Sequence, residues 1–247
     1  MQMTHRAALG LALLLAATAA HALTATELVA KNIEAKGGGA ALQSVKSLRR
    51  EGRLIVNGGQ YVLELRETKQ RPDSIRTEIS MQGLSQVQAY DGKEGWRIDP
   101  FGGRKDPERM PADDVKEYAE DATIDGVLAD AVAAGSSIEY LGTEDIDGTP
   151  AHKLKVVRKD GGLQYVYLDP DYFLEIRVES QRVVRGVKRT SVTDYGNYEK
   201  VGGVFWPLSI ESGIKGAGDP AKFEYRSAVV NPEIVPGYFS FPVTVKQ

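Results

Sequence analysis

The chain has 247 residues, no cysteine, and 31 basic against 34 acidic side chains, for a net charge of −3. A chain of this length suits one large all-β domain or two small ones, and buries roughly 70% of its unfolded surface without covalent staples. The mild acidic surplus argues against nucleic acid as a partner, and the missing cysteine excludes disulfides, thiolate metal sites and a lipidated N-terminal cysteine.

The first 22 residues read as a secretory signal peptide. Arg6 precedes an apolar run from Ala7 to Ala20, and Ala20-His21-Ala22 supplies a small-x-small cleavage site. The run is about 14 residues long, short of the roughly 20 that a membrane-spanning helix needs. The expected organisation is therefore a leader over residues 1–22 and a single soluble domain over residues 23–247, exported to the periplasm of a Gram-negative bacterium and monomeric there.

Thr24 to Lys36 carries the first helical pattern, with Thr24 or Thr26 as N-cap and Leu28, Val29 and Ile33 on one side. Gly37-Gly38-Gly39 ends it, and Ala40 to Val45 adds a further turn or two. A run of hairpins follows: Leu48–Asn57, Tyr61–Lys69, Ser74–Met81, Ser85–Tyr90 and Gly95–Ile98, with turns at Gly58-Gly59, Pro72-Asp73, Gln82-Gly83 and Asp91-Gly92. Asp99 to Gly135 breaks the alternation with a loop and two helices, one from Ala112 to Asp121 and one from Gly126 to Ala133. Alternation then returns at Ser137–Glu144, Ala151–Lys159, Leu163–Leu168, Leu174–Gln181, Arg185–Tyr195, Val204–Ser212, Ala221–Val230 and Val243–Lys246. The fold class is mainly β with α: a curved antiparallel sheet with helices covering one face or mouth, rather than repeated βαβ units.

Catalytic signatures do not emerge. Without its leader the chain keeps one histidine, His152, in a strand and with no second histidine or cysteine to share a metal. Neither a G-x-S-x-G elbow nor an H-E-x-x-H helix occurs. Asp113-Asp114 and Asp169 to Asp171 stand at a helix start and around a turn, ordinary structural positions for aspartate. The expectation is a protein that is not an enzyme and uses no metal or cofactor. An antiparallel sheet covered by helices suits a binding module with an apolar cavity. The candidate lining is Tyr61, Leu63, Leu65, Trp96, Ile98, Tyr118, Leu128, Tyr165, Tyr167, Phe205, Trp206 and Phe223.

Several segments, in order, resemble one family. Tyr90-Asp91-Gly92-Lys93-Glu94-Gly95-Trp96 is similar to its Y-D-G-x-x-x-W element, and Ile124-Asp125-Gly126-Val127-Leu128-Ala129-Asp130 to its I-D-G-P-L-x-D stretch, with Val127 in place of proline. Val156 to Ile176 resembles its double strand. Asp194-Tyr195-Gly196-Asn197-Tyr198 and Gly202-Gly203-Val204-Phe205-Trp206-Pro207 resemble its ending. The family is that of outer-membrane lipoprotein-sorting proteins and periplasmic lipoprotein carriers (LolA/LolB-like). The resemblance implies a strongly curved antiparallel sheet forming a half-open β-barrel, with helices covering the open side. It also implies shielding of a lipid, or of the acyl chains of a lipoprotein, on the way to the outer membrane. The implied partners are a lipid or lipidated protein and an inner- or outer-membrane partner protein. The alternative is a non-catalytic protein-interaction or structural module of the envelope on the same scaffold.

Overall fold

The structure, a computed structural model, describes residues 23–159, 161–184 and 187–242. The expected leader and the expected strand Val243–Lys246 lie outside the described residues. Helix α1 (Ala25–Ala35) opens with the reciprocal cap that its sequence allows: the Glu27 backbone N–H donates to Thr24 Oγ1 (3.2 Å), and the Thr24 N–H donates to Glu27 Oε2 (2.8 Å). Helix α2 (Gly39–Ser44) follows. Gly37 separates the two at φ 124°, so close to the chain that an added Cβ would stand 2.2 Å from the Gly203 carbonyl oxygen. The triple glycine thus seats the helices on the Gly202-Gly203 turn as well as linking them.

Six strands form the first half of the sheet: β1 (Ser47–Val56), β2 (Tyr61–Gln70), β3 (Ser74–Met81), β4 (Leu84–Asp91), β5 (Gly95–Asp99) and β6 (Arg104–Arg109). Next come α3 (Ala112–Ala119), a 3-10 turn (Glu120–Ala122) and α4 (Val127–Ala133). Seven strands form the second half: β7 (Ser137–Ile146), β8 (Thr149–Val157), β9 (Leu163–Leu168), β10 (Glu175–Val184), β11 (Val187–Val201), β12 (Val204–Ile214) and β13 (Ala221–Val230). The sequence pattern predicts a loop where β6 forms. Its sequence RKDPER is polar and holds Pro107, which only an edge strand tolerates, and β6 is an edge.

Each half is a meander, and β1 pairs with β13 to join them, giving the order β6-β5-β4-β3-β2-β1-β13-β12-β11-β10-β9-β8-β7. This corrects the expected barrel. The sheet is one large open antiparallel layer rather than a strongly curved half-open barrel, and its edges β6 and β7 do not pair with each other. The chain between those edges forms α3, the 3-10 turn and α4 rather than a further strand that could bridge them.

The helices lie on one face. Leu28 and Val29 of α1 and Leu128 and Ala131 of α4 pack on Leu154, Val156, Val166, Leu168 and Val178 of the second half. Leu42, Val45 and Ile124 pack on Leu48, Val204 and Trp206 at the seam. Opposite this layer, the C-terminal segment covers β3 to β5: Trp96 is buried and its Nε1 donates to the Phe239 carbonyl (2.8 Å).

Candidate functional site

Between the sheet and its helices runs a cleft of about 1250 Å3, larger than the roughly 300–1,000 Å3 common for small-ligand pockets. The alternation of β1 and β2 decides its character. Leu48, Arg50, Gly52 and Leu54 share the helix-side face of β1, opposite Lys69, Glu67, Leu65 and Leu63 of β2. Toward the β1–β2 turn the wall is therefore apolar. Leu54, Leu63, Leu65, Leu208 and Tyr225 are buried there, with Ile79, Met81, Ile210 and Phe223 half-buried against them. Toward the other end it is charged.

The charged end is built from two buried ion pairs. Arg50 stands opposite Glu67 in register and donates to Glu67 Oε1 through Nε (3.1 Å) and Nη2 (2.7 Å), and to the Pro207 carbonyl (3.2 Å). Its guanidinium lies 3.9 Å from the centre of the Tyr225 ring. Burial works against both charges, but their attraction outweighs it, holding Arg50 above its ordinary value and Glu67 below. Lys36 Nζ meets Glu175 Oε1 at 3.2 Å, and the Tyr198 hydroxyl donates to the Glu175 carbonyl (2.8 Å).

The segment Ile124-Asp125-Gly126 locks this end. Ile124 enters the seam core. Asp125 grips Arg71, which also donates to the carbonyls of Val45 (2.7 Å) and Leu42 (3.2 Å). Gly126, at φ 92°, leaves the room that Lys36 occupies: a Cβ there would stand 2.3 Å from Lys36 Nζ. Tyr118 fixes α3, its hydroxyl donating to the Gln88 carbonyl (2.9 Å) beside Thr77 Oγ1 (3.0 Å). Two residues later, Glu120 pairs with Arg158 (3.1 Å) and with Arg182. One short helical segment thus ties both halves of the sheet.

Two carboxylates in the cleft have no cation in salt-bridge contact among the described residues. Burial pushes Asp130 up to about 6, and a hydrogen bond from Thr123 works the other way; its Oδ2 is enclosed without a hydrogen-bond partner. Asp121 is also pushed to about 6, first by the protein crowded around it, although it stays open to the cleft.

Of the expected lining residues, Leu65, Tyr118, Trp206 and Phe223 line this cleft. Leu63 and Leu128 are buried in the clusters beneath the wall and under α4. Trp96 and Ile98 pack under the C-terminal segment with Phe241. Tyr165 and Tyr167 stack around Lys153 at 4.8 and 5.2 Å, and Tyr61 is exposed. Phe205 lines a second hollow of about 600 Å3 with Tyr172, Leu174 and Ile176. The charged end escaped the sequence reading, which treats apolar alternation as the signal. Arginine and glutamate at matching positions of β1 and β2 were its only trace. His152 accepts or donates at 3.0 Å to the Tyr140 hydroxyl and stacks on Phe173, a packing role. Among the described residues no group of three or more histidine, cysteine, aspartate or glutamate side chains could hold a metal ion.

No protein-family model matches the chain, and no curated protein does. Solved structures do. A LolA superfamily protein from Nitrosomonas europaea is similar over 89% of this chain and 98% of its own, at 14% identity and a TM-score of 0.58. A putative outer membrane lipoprotein-sorting protein domain from Vibrio parahaemolyticus is similar over 86% and 94%, at 13% identity and 0.58. A DUF1329 family protein from Desulfovibrio piger is similar over 87% and 96%, at 12% identity and 0.59. The likeness is one of fold.

Proposed function

We propose that the chain is a non-catalytic periplasmic carrier that shields a lipid, or the acyl chains of a lipidated protein, in the cleft between sheet and helices. The observation that carries this reading is the half-buried apolar wall of Ile79, Ile210 and Phe223, inside a cleft large enough for an acyl ligand. Acyl carbon in water costs about 0.8 kcal/mol per methylene, so covering it with this wall favours uptake, while the open end keeps uptake reversible. Leu65, Tyr118, Trp206 and Phe223 are the expected contacts among those lining residues. The fold shared with a LolA superfamily protein and a lipoprotein-sorting domain supports the same reading, as does the leader-like sequence of residues 1–22.

The test is uptake of a fluorescent fatty acid by the purified protein, together with native mass spectrometry of protein drawn from its periplasm. Phe223→Asp should weaken uptake at least about tenfold while leaving the unfolding midpoint nearly unchanged, because the side chain is already half-solvated. A protein that emerges empty and takes up no lipid would refute the carrier.

A further inference from the structure

The β10–β11 hairpin is built differently from its neighbours. Strand β9 pairs with β10 only as far as Leu163–Gln181, and β12 pairs with β11 only from Ile214–Ser191. Past those points the two strands pair with each other alone, Arg182 with Arg189 and Val183 with Lys188. A two-stranded ribbon therefore runs on beyond the sheet, at the end where Gly213 and Ile214 line the cleft.

A bare ribbon gains nothing in water from displaying β-branched side chains, and exposed strands are normally blunted with charge, proline or a bulge. This one displays Val183 at 72% exposure and Val187 at 58%, with Ile214 beside it at 46%. Directly opposite residues of an antiparallel pair share a face, so Val183 shares one face with Lys188 while Val187 shares the other with Arg189. Both cations are exposed, and among the described residues neither has an ion-pair partner. The nearby carboxylates are already engaged, Glu179 by Lys215 (2.7 Å), Glu211 by Lys222 (3.2 Å) and Glu120 by Arg182. Among the described side chains, each face thus offers an exposed valine beside an unpaired positive charge. That combination is complementary to an anionic bilayer, where apolar carbon enters the headgroup boundary and cations meet lipid phosphates.

We propose that this ribbon docks the protein on an anionic phospholipid bilayer and holds the open apolar end of the cleft against it. The purpose of docking rests on the carrier reading, but the docking itself needs no cargo. Flotation of the full chain with phosphatidylcholine vesicles, with and without phosphatidylglycerol, tests it. The protein should float with the anionic vesicles and be released by added salt. Val183→Asp with Val187→Asp, and separately Lys188→Glu with Arg189→Glu, should each weaken binding at least about tenfold. Both variants should take up the fluorescent fatty acid as the parent does, which shows the cleft intact. Absent binding, equal binding to both vesicle types, or parent-like binding by either variant overturns the docking site. Vesicle binding without fatty-acid uptake by the parent leaves docking standing and overturns the carrier.

Discussion

The two ends of the cleft share strands but not physics. At the turn end of β1 and β2, leucines, isoleucine and phenylalanine form a wall that is partly open to water. A few residues along the same strands, Arg50 and Glu67 are sealed against each other, and Lys36 and Glu175 are sealed beneath Gly126. The apolar wall is incomplete by itself, because half-buried apolar surface is still paying a hydration penalty that a ligand would relieve. At the charged end Arg50, Glu67, Lys36 and Glu175 already hold one another, so those four ions ask for no ligand. On the proposed function the apolar end is where a guest would sit, while the charged end positions the helices that roof it.

The largest effect should come from breaking that pairing. Arg50→Ala strands Glu67 in the interior, with Lys69 at 3.9 Å as its remaining cation. We expect a loss of about 3–5 kcal/mol in urea unfolding. Replacing both partners, Arg50→Met with Glu67→Leu, should restore most of it, since paired burial gains little over apolar packing. If Arg50→Ala is neutral, the two ends do not differ in the way described.

Next in size is Gly126→Ala. Gly38 is a useful control, because its φ of 89° is close to the 92° of Gly126, yet an added Cβ there meets nothing within 4 Å. Both alanines suffer backbone strain of about 1 kcal/mol, but only the one at 126 must displace Lys36 Nζ, which is held against Glu175. Gly126→Ala should therefore cost about 1–2 kcal/mol more than Gly38→Ala in thermal unfolding. That excess should vanish in a Lys36→Met, Glu175→Leu background.

The elements show what the sequence could reveal. Helix α1 was readable because Thr24, Glu27 and the Leu28–Val29–Ile33 side are local signals. The hairpins of the second half were readable because Asp147-Gly148 and Gly202-Gly203 mark turns that demand positive φ. Strand β6 was hidden by charge and proline, which are permitted only by its edge position. Whether the sheet closes was also hidden, because it depends on whether two edge strands far apart in the layer find each other. The charged end was invisible for the same reason: Arg50, Lys36 and Asp130 come together only when both halves and α4 are in place. Asp125 and Gly126 illustrate the boundary. Their segment could be picked out by resemblance, but Arg71 and Lys36, the side chains that give it a task, lie over fifty residues away in sequence.

The smallest effect tests whether the charged end is dry. Unfolded, Asp130 ionises near its ordinary value of 3.8; folded, burial delays this to about 6. Below about pH 4 the carboxyl is protonated in both states and contributes no difference. Between those values the folded chain holds a proton that the unfolded chain has lost, so stability falls as pH rises. Above about 6 the full penalty of a charged, poorly solvated Asp130 is present. Asp130→Asn should therefore stabilise the protein by on the order of 1 kcal/mol near neutral pH and by nothing near pH 4, read from urea midpoints at both. Asp121→Asn should move in the same direction but less, because Asp121 opens to the cleft. Glu67 acts in the opposite sense, its lowered value giving stability that is lost in acid. A pH-independent gain from Asp130→Asn would mean that water reaches Oδ2. The charged end would then be as open as the apolar one, and the contrast between them would reduce to composition alone.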